Sequence, residues 1–164
     1  MAIKARKGKV RSKYSNAKVG RYIPSSHPRK YLGTEAVVEY KSSLEYKFMI
    51  HCDREPAIAF WGYENATLKY LDKSENPPKQ RVYYIDFVIY LKTPKFMETG
   101  CITDCKKIWV EVKDSRDTRP SLANSKNLLE KKNYLKNISK WKAADEYTKS
   151  RGFGFRIITE QQLN

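Results

Sequence analysis

The stretch "KIWVEVKD", residues 107–114, decides how the chain is read. In an extended strand successive side chains point to opposite faces, so Ile108, Val110 and Val112 share one face and Trp109, Glu111 and Lys113 the other. The first face reads as core. The second sets a carboxylate and an ammonium beside each other. Taken alone, that is also the pattern of a half-exposed strand with a surface ion pair, and the neighbouring segments must decide between the two.

The preceding strand pattern is "RVYYIDFVIYL", residues 81–91, β-branched and aromatic with one acid, Asp86, between Ile85 and Phe87. An acid in so apolar a run is costly to bury unless it is paired or binds a metal. If 81–91 pairs with 106–113, Asp86 and Glu111 can lie close together on one face, with Lys113 projecting to that face as well. Two carboxylates that close repel, and one pKa rises unless a cation sits between them. Hard oxygen ligands suit Mg²⁺ or Mn²⁺. Such an ion can activate a water and neutralise phosphate charge, and Lys113 can orient that water or stabilise developing charge. The competing arrangement is a buried ion-pair cluster of Asp86, Lys113 and Glu111 without metal.

Further out, "SSLEYKFMIHC" (42–52) has helical spacing, with Ser42 or Ser43 as cap, Glu45 in the first turn and Leu44, Phe48 and Cys52 on a core face. Glu45 is a third acid that could pack over the Asp86–Glu111 face. "AIAFWGY" (57–63) and "ATLKYL" (66–71) read as short strands around Gly62, 72–80 as a hairpin loop, 92–105 as a loop or insertion and 114–125 as a polar loop. A long helix is expected from about Leu122 to Ser150, with Tyr134, Ile138, Trp141 and Asp145 near one stripe and Gly152 closing it. "FGFRIIT" (153–159) reads as a last strand. The element order predicts an α/β layer fold with a mixed β-sheet flanked by helices.

The chain has 164 residues and a formal charge of +15, from 33 basic and 18 acidic residues. Residues 1–30 hold ten basic residues and no acid. Such a basic N-terminal arm attracts phosphate backbones without reading sequence, which points to DNA as partner through Lys4, Arg6, Lys7, Lys9, Arg11, Lys13, Lys18 and Arg21. The expected division is a partly flexible arm over 1–32 and a catalytic domain over 33–164. No run approaches the ~18 apolar residues of a membrane span, and the N-terminus lacks the apolar core of a signal peptide, so no membrane partner is expected. Cys52, Cys101 and Cys105 form no paired framework, and with His51 they match no familiar zinc spacing. They are read as reduced thiols.

An aspartate and an E-x-K on consecutive strands, "YYIDF" and "VEVK", after a helix bearing a glutamate, resemble the PD-(D/E)XK nuclease superfamily. "SSLE" with Glu45 looks like the helix acid of its TnsA-type branch. The ordered segments "GRYIPSSHPRKYLG", "YKSSLEYKFMIHCD", "AFWGYENATLKY" and "RVYYIDF" resemble the head completion nucleases of T-even-type tailed phages across most of the chain. Ile85 stands where that pattern places proline, and Lys41-Ser42-Ser43-Leu44 precede Glu45 where it places Arg-Ser and a tryptophan. Neither change removes a chemical group from the site. The resemblance implies a restriction-endonuclease-like core with Asp86, Glu111 and Glu45 as acids at the metal and Lys113 as catalytic lysine. It also implies endonuclease action on DNA during head completion, in the host cytoplasm or with the virion, beside portal or neck proteins. Glu64, in "WGYE", belongs to the same pattern without an assigned role. The other readings are a junction resolvase or restriction-type enzyme of the superfamily, and a DNA- or portal-binding assembly protein with a vestigial site.

Overall fold

The computed structural model describes residues 19–163; the expected contacts of Lys4, Arg6, Lys7, Lys9, Arg11, Lys13 and Lys18 lie outside them. The element order is β1 (Gly20–Tyr22), β2 (Val38–Tyr40), α1 (Ser43–Arg54), β3 (Ile58–Asp72), β4 (Lys79–Leu91), α2 (Pro94–Thr99), β5 (Lys106–Val112), α3 (Leu128–Ser150) and β6 (Gly154–Ile158). The main sheet runs β3-β4-β5-β6 and is mixed: β3, β4 and β5 are antiparallel neighbours, and β6 returns parallel to β5. The crossover from β5 to β6 contains α3, as a parallel connection requires. β1 and β2 form a separate antiparallel pair.

The two faces of the sheet have separate cores. On one, Phe48, Met49 and Cys52 of α1 pack against Trp61, Phe87 and Val110. On the other, Trp141 and Ala144 of α3 pack against Val88, Trp109 and Phe155. Ile85 belongs to the second core and Phe87 to the first, although they are two residues apart on one strand. β4 therefore turns sharply through Asp86. Beyond it the β3–β4 hairpin curls over α3, where the backbone N–H of Lys73 donates to Ser139 Oγ and Lys132 pairs with Glu75.

The two strands expected on either side of Gly62 are one strand, Ile58–Asp72. Gly62 stays paired, opposite Val88, and the irregularity falls between Tyr63 and Ala66, with Glu64 at φ 46°. Glycine has a different job here. A Cβ on residue 62 would lie 2.2 Å from the Asn65 amide, so Gly62 leaves space for the bulge to fold back. The segment 92–105, expected as a loop, contains α2: Thr93 caps it by accepting from Phe96 N–H, Pro94 occupies the first turn, and Gly100 ends it at φ 63°. α3 starts at Leu128, where Asn127 caps it, and not near Leu122; residues 115–124 form 3₁₀ turns instead. Of the expected helix stripe, Tyr134 and Trp141 are buried while Ile138 is 38% exposed.

Residues 20–32 are tied to the body. Asp53, near the end of α1, accepts from Tyr22 Oη at 2.5 Å, Ser25 N–H at 2.7 Å and Trp61 Nε1 at 2.8 Å. Lys30 is buried and donates to the Glu55 carbonyl at 2.8 Å. No helix among the described residues is long and apolar enough to cross a membrane.

Candidate active site

The ladder between β4 and β5 runs from Leu91↔Lys106 to Phe87↔Val110 and stops. One step further, antiparallel register sets Asp86 opposite Glu111. The backbone N–H of Val112 donates instead to Asp86 Oδ2 at 2.9 Å, so the side chain takes over where the β4 backbone turns away. Glu111 is 4% exposed, and its Oε2 accepts from Tyr83 Oη at 2.6 Å. Burial first, and then the neighbouring Glu111 carboxylate, push the Asp86 carboxyl well above the usual carboxylate range. The Val112 N–H and the Lys113 ammonium work in the opposite direction without restoring it. Burial, and then the same two carboxylates, push the Tyr83 hydroxyl far up, so it remains a donor to Glu111 at any working pH.

The structure thus brings Asp86, Glu111 and Lys113 together. Glu45 approaches from the start of α1. Ser42 caps that helix by accepting from Glu45 N–H at 3.1 Å, and Glu45 Oε2 returns to accept from Lys41 N–H at 2.8 Å. The same oxygen accepts from Tyr63 Oη at 2.7 Å, so α1 is fastened to the bulged part of β3. The charge of Glu45 also acts on Asp86, more weakly than that of Glu111. Glu64, inside the bulge, pairs with Lys41. Arg21 stands apart from this cluster on β1, exposed and 3.6 Å from Glu39.

Among the described residues no three His, Cys, Asp or Glu side chains are gathered as a ready-made metal cage. The donor set nevertheless fits a hard divalent cation. Mg²⁺ keeps several waters and is usually held by one or two carboxylates together with substrate phosphates. Asp86 and Glu111 each have one oxygen committed to a protein donor, which leaves the other without a protein hydrogen bond among the described residues. Burial, and after it the Glu111 charge, raise the Asp86 pKa, and a divalent cation held by both acids would offset both effects.

Two parts of this site were not anticipated from the sequence. Tyr63 and Tyr83 orient the acids, and α3 contributes Lys140, whose Nζ lies 5.0 Å from the centre of the Tyr83 ring. Burial lowers the pKa of Lys140, against the pull of Glu111. A tyrosine in a strand and a lysine in a lysine-rich helix carry no distinctive signal.

Residues 55–160 match the family described as the TnsA-like endonuclease N-terminal domain, a span that includes Glu64, Asp86, Glu111 and Lys113 and begins after Glu45. The chain is also 30% identical, over 152 residues, to the head completion nuclease of Enterobacteria phage T4, an alignment covering 88% of this chain and 92% of that protein. The mixed sheet flanked by helices agrees with that family. This chain belongs to the TnsA-like endonuclease family.

Proposed function

We propose that the chain is a divalent-metal-dependent DNA endonuclease that acts in phage head completion, on or near packaged DNA before the neck or tail is joined. The observation that carries the chemistry is the Asp86–Glu111 pair at the end of the β4–β5 ladder, with Asp86 driven towards its neutral form and Lys113 beside it. The likeness to a head completion nuclease over most of both chains supports the setting.

In this reading Asp86 and Glu111 hold Mg²⁺ or Mn²⁺, with Glu45 on the approach from α1. Such an ion supplies charge neutralisation at the phosphate and a lowered pKa for a bound water. The protein supplies the rest. Tyr83 and Val112 N–H each occupy one oxygen of an acid and so fix which oxygen faces the ion. Lys113 presents its ammonium on the same face, where negative charge develops on the phosphate. The basic residues of 1–21, together with the net charge of +15, draw in the DNA backbone. Work on packaged DNA implies residence in the host cytoplasm or with the virion, and contact with portal or neck proteins.

A plasmid-nicking assay tests the reading directly. Cleavage is expected with Mg²⁺ or Mn²⁺ and suppressed by excess chelator. Full activity in chelator would overturn the metal-dependent mechanism. Ligation of nicked product without end repair checks for 5′-phosphate and 3′-hydroxyl ends.

A further inference from the structure

α3 carries lysines at 132, 136 and 140, spaced by four and therefore along one side of the helix. They end differently. Lys132 Nζ pairs with Glu75 at 3.2 Å. Lys136 acts on Asp72, a buried acid already paired with Arg81 at 2.9 Å. Lys140 has no ion pair and no hydrogen bond among the described residues. Its recorded contact is the face of Tyr83, 5.0 Å from Nζ to the ring centre.

That ring places it at the site. Tyr83 Oη is 2.6 Å from Glu111 Oε2, so the Lys140 ammonium rests on the side chain that holds Glu111. It feels the charges of both Glu111 and Asp86 without reaching either, and Lys113 and Lys136 repel it. A half-buried ammonium keeps a heavy desolvation penalty, and an aromatic face replaces only part of the lost water. Its three N–H donors meet no acceptor among the described residues. A structural lysine of this kind usually finds a carboxylate or carbonyl. This one feels the charges of two acids and has the face of a tyrosine ring as its neighbour instead. An anion arriving from outside would complete it, and a nuclease substrate carries a phosphate at every nucleotide.

Resting on the nuclease reading above, we propose that Lys140 is a phosphate-binding residue: propped on Tyr83, it takes a non-bridging oxygen of a DNA phosphate next to the one that is cut. α3 then sets the register of the strand, while Lys113 on β5 faces the reacting phosphate.

The experiment uses DNA duplexes in which one phosphate at a time is replaced by an uncharged methylphosphonate, scanned across the positions flanking the cleavage site. For the wild type, one flanking position should slow cleavage roughly tenfold to a hundredfold, the range for losing a charge-assisted hydrogen bond. Lys140→Met should lose a similar factor on unmodified DNA and nothing further at that position, and Lys140→Arg should retain the penalty. A penalty of equal size in wild type and Lys140→Met at every position would show that Lys140 only steadies Tyr83, and would overturn the proposal. Should Lys140→Met melt below the assay temperature, Lys140→Gln repeats the comparison.

A binding arm makes the result independent of cleavage. In the Asp86→Asn background without divalent metal, fluorescence anisotropy should show the slope of log K against log salt falling by about 0.9 when Lys140→Met is added. An unchanged slope overturns the phosphate contact. A wild type that binds DNA with the Lys140-dependent slope but cuts nothing in Mg²⁺ or Mn²⁺ would overturn the nuclease reading and leave the contact standing.

Discussion

Asp86 stands one residue beyond the last β4–β5 ladder pair and turns its carboxylate back to the N–H of Val112, which leaves it opposite Glu111. The strand bends where the acids meet, so one feature of the backbone both ends the ladder and opens the site.

The first prediction separates a metal site from a buried ion-pair cluster. In an ion-pair cluster, Lys113→Ala would leave two facing carboxylates uncompensated and cost roughly 3–5 kcal/mol of stability. In a metal site the crowding is already present in the apo protein. Asp86→Asn or Glu111→Gln then relieves repulsion, and apo stability holds or rises while cleavage collapses. Lys113→Ala should spare metal binding and lower turnover by about 10²–10³-fold, the scale for losing one electrostatic contact to developing charge. The metal-site pattern is expected; thermal melts in chelator and calorimetric Mg²⁺ titration of the three variants check it.

The second prediction concerns pH. Asp86 has a folded pKa well above its ordinary value near 3.8, so between those two values the native state binds more protons than the unfolded state. Stability in chelator should therefore fall as pH rises through that window and level off above it. Hydrogen bonds from Ser74 and then Arg81 shift Asp72 downward against its burial, and Arg116 does the same for Asp114, so both add stability as pH rises, but only below the ordinary carboxylate range. The difference between wild type and Asp86→Asn isolates the first effect. Parallel melting curves for the two proteins from pH 4 to 8 would remove it.

Asp86, Glu111 and Lys113 were legible because their signal is local. An acid inside an apolar strand and an E-x-K with two-residue spacing need only alternation to share a face. Glu45 was legible through the Ser42 cap that fixes the helix start. Lys140 was not, because "KKNYLKNISKWK" presents five lysines and nothing in the helix period says which one meets Tyr83. β1 and β2 were not legible either. Each has three residues, and their pairing depends on Tyr22 reaching Asp53, thirty-one positions away. The break assigned to Gly62 fell at Glu64-Asn65 because glycine served packing clearance there and another residue took the positive φ.

Tyr83→Phe tests whether the orientation of Glu111 matters. The ring and its packing remain; only the hydroxyl 2.6 Å from Glu111 Oε2 is lost. Removing such a partner of a metal-binding carboxylate typically weakens metal affinity about 10–100-fold. The Mg²⁺ concentration for half-maximal cleavage should rise by that order, with turnover at saturating Mg²⁺ much less affected. An unchanged Mg²⁺ requirement would show that Glu111 needs no fixing.

The basic arm is tested by deleting residues 2–18, which removes Lys4, Arg6, Lys7, Lys9, Arg11, Lys13 and Lys18. The segment is poor in apolar residues, so the melting temperature should change little. DNA binding should weaken, and the salt slope should fall by up to roughly six, at about 0.9 per phosphate contact. An unchanged slope would assign the arm to a protein partner.

Glu64 is the one non-glycine residue at positive φ among those described, and it sits in the β3 bulge between the residue that holds Glu45 and the edge of the site. Left-handed backbone costs an L-residue roughly 1–2 kcal/mol. The exposed ion pair with Lys41 returns at most about 1 kcal/mol. Stability alone therefore favours glycine here, and Glu64→Gly should raise the unfolding free energy by up to about 1 kcal/mol. The same change frees Lys41, whose backbone N–H also holds Glu45 Oε2, and loosens the junction between α1 and β3. Cleavage should then fall while stability rises, the signature of strain kept for function. Denaturant melts and nicking rates measured on the same Glu64→Gly preparation decide it. A gain in stability with undiminished cleavage would show that the glutamate is only a surface partner of Lys41.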